Sequence, residues 1–499
     1  MGVIMKQTIK GTLANYLGVL IGMVTTFVVV TKLLTQEEVG LTRVMVDAAM
    51  LFATLAQLGT TSSIQRFYPH FHDDAERDHG FFGWSLLLPL IGFTLIAAVF
   101  FLFKGSILAR YAVNAPMIVD YAYLLLPLTF FVLYMSVFET NASVLLHIAM
   151  PKFVREVVVR LLNLGSYLLY GFDILSLDTF IIVFCCSYAV ATVINFCYLL
   201  SLRRISFRLD WQFVDKRLLV EVTRYTLVMT AVTLTSNVKL FNSLFLATEG
   251  LKLAGIYTIA SYIAAVIEIP YRSLGAIATP VISTAVQKDD WKEVNRLGRQ
   301  VTLHQLLGAS LILFFIWINL QPLFAIIPNG DSYASGSSVV LILGIAILIN
   351  STFGIAVSIL NLSRKYRYAL LFVLLLTGTV IACNIWLIPL WGINGSACAT
   401  LFGYIIYYTP LLFLLRHSLG VTLLSRKQIT VVLMVLGFFL LNHIWSLTLS
   451  PLFAQMGQGT VAILVQAAAR TGCFALLTLL LLRRLHISPD IDKMLKLPF

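Results

Sequence analysis

Charge is scarce in this chain. Asp, Glu, Lys and Arg make up 12% of its 499 residues, against roughly a quarter in a soluble domain. Too few charged groups are present to clothe a water-facing surface of that size. Long polar segments are missing as well. The longest polar loops, such as 63–80 and 202–223, stay under about 25 residues, too short for a soluble catalytic domain. No G-x-x-x-x-G-K stretch occurs, so no loop of that kind cradles nucleotide phosphates, and ATP hydrolysis by this chain is not expected. The six cysteines (Cys185, Cys186, Cys197, Cys383, Cys398, Cys473) lie within apolar runs. Their spacing suits neither zinc nor a disulfide framework, and they read as small packing residues. No nucleophile comes with a base and an orienter, and no metal spacing exists. The expectation is a protein that is not an enzyme and has no cofactor.

What is abundant is hydrocarbon. Hydrophobic residues make up 59% and the mean hydropathy is +0.91. The apolar residues form runs such as "FIIVFCCSYAVATVINFCYLL" (180–200) and "ALLFVLLLTGTVIACNIWLIPL" (369–390). Each has about the 20 residues a helix needs to cross a hydrocarbon core. Lipid offers no partner to main-chain N–H and C=O groups, so such runs must be helical. About fourteen spans are expected on this length criterion. They lie near 10–33, 40–62, 81–103, 117–146, 153–172, 178–201, 224–247, 253–285, 300–320, 335–361, 367–389, 394–415, 428–449 and 460–482. The first is longer than a signal-peptide core and lacks a clear small-residue cleavage site, so it reads as a retained anchor.

Lys and Arg gather in alternate loops. One set holds Lys6 and Lys10; Arg66 and Arg77; Lys152, Arg155 and Arg160; Arg203, Arg204, Arg208, Lys216, Arg217 and Arg224. It continues with Lys288, Lys292, Arg296 and Arg299; Arg364, Lys365 and Arg367; Arg416, Arg426 and Lys427; Arg483, Arg484, Lys493 and Lys496. The opposite set holds only Lys32, Arg43, Lys104, Arg110 and Lys252. By the positive-inside rule both termini are cytoplasmic and the span count is even. The net charge of +12 then faces anionic inner-leaflet lipid, so membrane lipids are partners and nucleic acid is not.

The chain also repeats itself. "EEVGLTR" aligns with "KLAGIYT", placing Gly40 over Gly255. Leu58–Gly59 falls over Leu274–Gly275, and Lys152 over Lys365, all at an offset of about 215 residues. Six spans preserve orientation, so the repeat implies two six-helix lobes related by an axis along the membrane normal, around a central cavity. The expected divisions are an N-lobe over 1–205, a cytoplasmic interfacial linker over 206–223, a C-lobe over 224–417, and accessory spans thirteen and fourteen with a tail over 418–499. In the turn of the first repeat, Glu37 and Glu38 are expected to stay in water and Gly40 to permit tight re-entry. The apolar residues of the linker, Phe207, Leu209, Trp211, Phe213 and Val214, lie among bases, as in a helix resting on the membrane surface.

"LLTQEEVGLTRVMVDAAMLFATLAQLGTTSSIQRFYP" (33–69) resembles the opening module of bacterial polysaccharide biosynthesis exporters. The features are the acidic turn closing on Gly40, the Leu58–Gly59 pair and the Arg66–Phe67 pair. "EIPYRSLGAIATPVIS" (268–283) resembles span eight of the same multidrug/oligosaccharidyl-lipid/polysaccharide exporter superfamily. The resemblance covers essentially the whole chain in a 6+6+2 pattern. It implies a flippase that carries a polyprenyl-pyrophosphate-linked oligosaccharide, an O-antigen or capsule repeat unit, to the outer leaflet. The membrane would be the bacterial inner membrane. Glycan polymerase and other polysaccharide assembly proteins would be partners. Without ATP hydrolysis, the energy would come from an ion gradient (proton or sodium), a membrane potential or the substrate's own gradient. The alternatives are a multidrug or cation antiporter of the same superfamily, and a membrane-embedded glycan polymerase or ligase. Antiporters usually lack the extra span pair. Polymerases carry a long, charged outward loop, whereas the longest outward loops here, 104–116 and 321–334, are short and poorly charged.

A charge at mid-membrane costs about 2.5–3.5 kcal/mol on insertion scales, so each one present marks a candidate site. Arg272 lies near the middle of span eight with Glu268 one turn earlier, on one face, and Pro270 between them opens the backbone. Lys239, flanked by Asn237 and Asn242, marks a cavity wall in span seven. Arg43 and Asp47 form an i,i+4 pair in the outer third of span two. Arg66 at the cytoplasmic end is placed to receive a pyrophosphate. Substrate binding therefore falls to Arg272, Lys239, Arg43, Arg66, Asn237 and Asn242, with Glu268, Glu139 and Asp47 as coupling or ion-pair groups. Arg470 and Gln466 in span fourteen read as docking residues.

Overall fold

The computed structural model describes residues 3–71, 77–202, 207, 220–226, 229–230, 233, 239–448 and 460–487. Among them every regular element is helical and no strand occurs. We number the main helices α1 (3–33), α2 (Gln36–Ala56), α3 (Thr60–Phe71), α4 (Phe81–Ala109), α5 (Leu125–Val144), α6 (149–171), α7 (Leu177–Ser201) and α8 (Lys239–Glu249). They continue with α9 (Leu251–Ala265), α10 (Ile269–Gln287), α11 (Trp291–Ile318), α12 (Ser337–Leu362), α13 (Arg367–Trp391), α14 (Ile393–Leu419), α15 (Arg426–Thr448) and α16 (Thr460–Leu485).

Among the described residues, 12 helices are long and apolar enough to cross a membrane. The chain is a multi-pass, all-α membrane protein. These helices fall on twelve of the expected spans, and the other two are instructive. Span five coincides with α6, which carries Arg155, Glu156 and Arg160 and so exceeds the charge such a helix tolerates. Expected span seven, near 224–247, lies partly outside the described residues, as does most of the 206–223 linker.

Local chemistry sets the helix ends. Thr35 starts α2 with a capping box: its hydroxyl accepts from the Glu38 N–H, and Glu38 Oε2 accepts from the Thr35 N–H at 2.8 Å. Ser176 accepts from the Thr179 N–H to start α7, and Asp290 accepts from the Glu293 N–H at 3.0 Å to start α11. Leu58 and Gly59 both take left-handed backbone, φ 46° and 70°, and separate α2 from α3.

The second half breaks elsewhere. Leu274 and Gly275 lie inside α10, and the interruption comes earlier, at the 3₁₀ turn Val266–Glu268 that Pro270 follows. Proline cannot donate into the preceding turn, so it sets the break and the later Leu-Gly pair continues as helix. The opening of the backbone that Pro270 implies is present. The matching of the two Leu-Gly pairs does not extend to their conformation.

The chain clusters into two compact units, Met1–Thr258 with Asn384–Gly392, and Ile259–Cys383 with Ile393–Phe499. In the first unit, Ile64 and the rings of Phe67 and Phe71 of α3 pack with Phe81 of α4 and Val137 of α5. In the second, Phe314 of α11 meets Phe438 of α15 and Phe474 of α16, with ring centroids 5.4 and 5.0 Å away. These rings dock spans thirteen and fourteen onto span nine. The Arg470 guanidinium donates to the Ile318 carbonyl at the end of α11, and Asn319 bonds Thr471 at 2.8 Å beside it. Both contacts fit the docking role read for Arg470.

Candidate functional site

In the first unit Asp47 lies midway along the 21-residue α2, deeper than its place in the expected span suggested. The helix starts earlier and ends at the Leu58–Gly59 break, which shifts the midpoint. Asp47 is 1% exposed. Its Oδ2 accepts from Arg43 Nε at 2.7 Å and from the Ser243 hydroxyl of α8 at 2.5 Å. A buried carboxylate requires such partners. Next to Ser243 on α8, Asn242 is also buried. It donates to the Tyr257 hydroxyl at 2.9 Å and accepts from Asn384 Nδ2 at 3.0 Å. Its amide is thereby engaged in packing three helices. Lys239 opens α8, half-buried. Asn237 lies outside the described residues.

Two further ion pairs sit on α6. Arg155 Nη1 donates to Glu139 of α5 at 2.7 Å, and Arg160 donates to Glu156 at 2.8 Å and to the Gly18 carbonyl of α1 at 2.6 Å. Arg155 and Glu156 lie in a π-helical turn, Val154–Val158, a distortion that re-aims side chains and recurs at functional sites. This corrects the placement of Arg155 and Arg160 among loop charges: both are helical and both are paired. The sequence signal was present: Lys152, Arg155, Glu156 and Arg160 fall within nine residues at the start of an apolar run, and charges there need internal partners.

Glu38 is a second correction. Instead of standing in water it is 9% exposed, and the Tyr170 hydroxyl donates to its Oε1 at 2.5 Å. Midway along α3, Arg66 is exposed. Its Nη2 lies 3.2 Å from Glu221, and its guanidinium stacks 4.4 Å from the Tyr225 ring and 5.4 Å from that of Phe67. An arginine held by rings and one exposed carboxylate keeps its hydrogen-bonding fork accessible.

In the second unit Arg272 and Glu268 pair at 3.5 Å. The geometry is loose, and the Arg272 side chain is 72% exposed while Glu268 is 16%. A group of tyrosines stands nearby that the sequence reading passed over. Tyr404, Tyr407 and Tyr408, in "GYIIYYTP", share one face of α14 at helical spacing. Tyr408 donates to Asn350 Oδ1 at 2.9 Å, and its ring lies 4.8 Å from that of Tyr407. Glu268 and Tyr271 are within electrostatic reach of Tyr408. Gly354 makes room for the Tyr271 ring, which any Cβ there would overlap. All three α14 tyrosines are buried, at 7%, 5% and 3% exposure, so they pack the interior near Glu268 rather than line an open surface.

Among the described residues, no group of three or more His, Cys, Asp or Glu is placed to hold a metal ion. Of the residues singled out in the sequence, Arg43 meets Asp47, Arg272 meets Glu268, and Glu139 meets Arg155.

A family model described as polysaccharide biosynthesis protein matches residues 4–286. Among solved structures, the lipid II flippase MurJ in an inward closed conformation is similar at TM-score 0.71 and 12% identity, covering 96% of this chain and 99% of that one. An inward-facing multidrug resistance MATE family transporter of the MOP superfamily is similar at TM-score 0.59 and 16% identity, covering 83% and 96%. A MOP superfamily transporter from Pyrococcus furiosus, described as having reverse polarity of its binding pocket, is similar at TM-score 0.56 and 14% identity, covering 84% and 96%. At these identities the likeness is one of fold. No curated protein matches the chain.

Proposed function

Because the chain belongs to the polysaccharide biosynthesis protein family, we propose that it is a flippase for a polyprenyl-pyrophosphate-linked oligosaccharide. In this reading it moves the lipid from the cytoplasmic to the outer leaflet of the bacterial inner membrane by alternating access. Glycan polymerase and the other assembly proteins would take up the product. The carrying observation is Arg272. A guanidinium 72% exposed midway along the α9–α10 path would be costly against lipid. It is favourable against water and an anionic headgroup. A 3.5 Å pair with Glu268 is weak enough for a pyrophosphate to displace.

The other candidates divide the work. Arg66, exposed at the end read as cytoplasmic, receives the phosphates. Glu268, Glu139 and Asp47 are the carboxylates available to couple movement to a proton or sodium gradient. Every step in this scheme is binding and release, so it describes a transporter rather than an enzyme. Deletion of the gene followed by extraction of membrane lipids tests the reading. Build-up of a polyprenyl-linked oligosaccharide on the cytoplasmic side is the expected result. Unchanged lipid intermediates with altered drug tolerance would replace the reading with a multidrug or cation antiporter.

A further inference from the structure

Two contacts fix how α11 and α12 of the second unit lie against each other. A Cβ on Gly298 of α11 would stand 3.5 Å from the Ile359 side chain of α12, and a Cβ on Gly344 of α12 would overlap the Leu313 side chain of α11. As residue numbers rise on one helix they fall on the other, so the pair is antiparallel, and Gln305 comes level with Thr352 and its neighbour Ser351. Gln305 follows Gly298, and Thr352 precedes Ile359, by seven residues. Seven residues are two turns, so both side chains lie on the faces that meet.

These three polar residues sit at the centres of two helices that qualify as membrane spans. They are closed off from solvent: Gln305 and Ser351 are 0% exposed and Thr352 is 3%. Among the described residues, neither amide atom of Gln305 and neither hydroxyl of Ser351 and Thr352 has a hydrogen-bond partner. Other buried hydroxyls on α11 turn back onto their own helix. Thr302 donates to the Gly298 carbonyl at 2.8 Å and Ser310 to the Leu307 carbonyl at 3.1 Å. Ser351 and Thr352 make no such bond, although α12 offers them the same carbonyls.

A buried amide or hydroxyl without a partner is costly, and four such atoms at one level call for a shared one. Their chemistry selects it. Gln305 Nε2 only donates, its Oε1 only accepts, and the hydroxyls do both. A cation suits the oxygens and is repelled by Nε2; an anion does the reverse; hydrocarbon satisfies neither. Water donates and accepts, and buried water makes about three bonds to groups of this kind.

We propose that Gln305, Ser351 and Thr352 hold buried water between α11 and α12 at mid-membrane. The site adjoins α10. A Cβ on Gly308, one turn past Gln305, would stand 3.5 Å from Pro270, and the Tyr271 ring fills the space beside Gly354, two residues past Thr352. The water therefore lies on the interior side of the segment that carries Glu268 and Arg272. The inference concerns the hydration of the bundle and stands whatever the chain transports.

The test exposes the full chain in detergent to a brief, intense X-ray pulse. X-rays split water where it sits, the hydroxyl radical oxidises the side chains beside it, and peptide masses locate the products. The readouts are Leu306, next to Gln305, and Ile355, one turn past Ser351, which are 9% and 2% exposed. The control is Leu313, 3% exposed at the apolar level of Gly344. Oxidation at Leu306 and Ile355 is expected several-fold above that at Leu313, and at the Leu313 level when Gln305→Leu and Thr352→Val are combined. Oxidation in the wild type no higher than at Leu313, or unchanged in the double variant, overturns the proposal; the wild-type measurement decides by itself if the double variant does not fold. Thermal unfolding of Gln305→Met gives a second reading. Its midpoint should fall by several degrees, because water loses a partner. A dry, unpartnered amide would be relieved by the same change, so a rise overturns the proposal. A fall without raised oxidation at Leu306 overturns it as well, since Gln305 would then bond Thr352 directly. Replacing sodium by choline should change neither measurement; loss of either would put a cation in place of the water and contradict the proposal.

Discussion

Gly40 of α2 and Gly255 of α9 pack directly against each other. A Cβ on Gly40 would overlap the Leu251 carbonyl and stand 3.1 Å from the Gly255 nitrogen; a Cβ on Gly255 would overlap the Gln36 carbonyl and stand 3.3 Å from the Gly40 nitrogen. These are the two glycines that the internal repeat aligns. Each sits one turn or so into its helix rather than in the turn before it, so close helix approach, not tight re-entry, is what requires glycine.

Large side chains at either glycine should therefore separate α2 from α9. Gly40→Leu or Gly255→Leu is expected to cost at least the roughly 1–3 kcal/mol typical of overpacking. The check is a fall in the thermal unfolding midpoint of the detergent-solubilised protein, with less protein in the membrane. An unchanged midpoint would mean that the helices can part at no cost.

Much of the fold was legible because lipid imposes one rule, that apolar runs of span length become helices. Twelve spans follow from it. Positions of breaks were less legible. Leu58–Gly59 and Leu274–Gly275 read alike, yet only the first adopts left-handed backbone, because Pro270 moves the second break upstream. Pairing was legible only at i,i+4 spacing, as for Arg43–Asp47 and Glu268–Arg272. The partners Ser243 for Asp47, Arg155 for Glu139 and Tyr170 for Glu38 come from other helices, whose rotation no local spacing encodes.

Asp47 anchors α2 to α8 through Ser243. Asp47→Ala would leave Arg43 without this carboxylate and Ser243 without its acceptor. Breaking such a pair costs about 3–5 kcal/mol when fully buried, and the Arg43 side chain is 28% exposed, so the lower end is expected. Asp47→Asn retains an acceptor for Ser243 and should lose less. Thermal unfolding of the two variants side by side checks the order; equal midpoints for both and wild type would remove the anchoring role.

The Glu139–Arg155 pair gives a different pattern. Glu139→Ala and Arg155→Ala should each lower membrane levels and surface glycan. The exchange Glu139→Arg with Arg155→Glu should restore membrane levels, because charge pairing survives. Surface glycan should remain low, because the cation no longer sits in the π-helical turn of α6. Full recovery of both would reduce the pair to a structural role.

Arg272 carries the account most directly. Its loose, exposed pair contributes little stability, about 0–1 kcal/mol at most, so Arg272→Ala should insert and unfold like wild type. The decisive measurement is movement of an undecaprenyl-pyrophosphate-linked saccharide across vesicles holding equal amounts of either protein, read by exposure of the sugar to an external modifying enzyme. The account predicts transfer by wild type well above empty vesicles and transfer by Arg272→Ala near their background. A wild type no faster than empty vesicles, or an Arg272→Ala protein as fast as wild type, contradicts it.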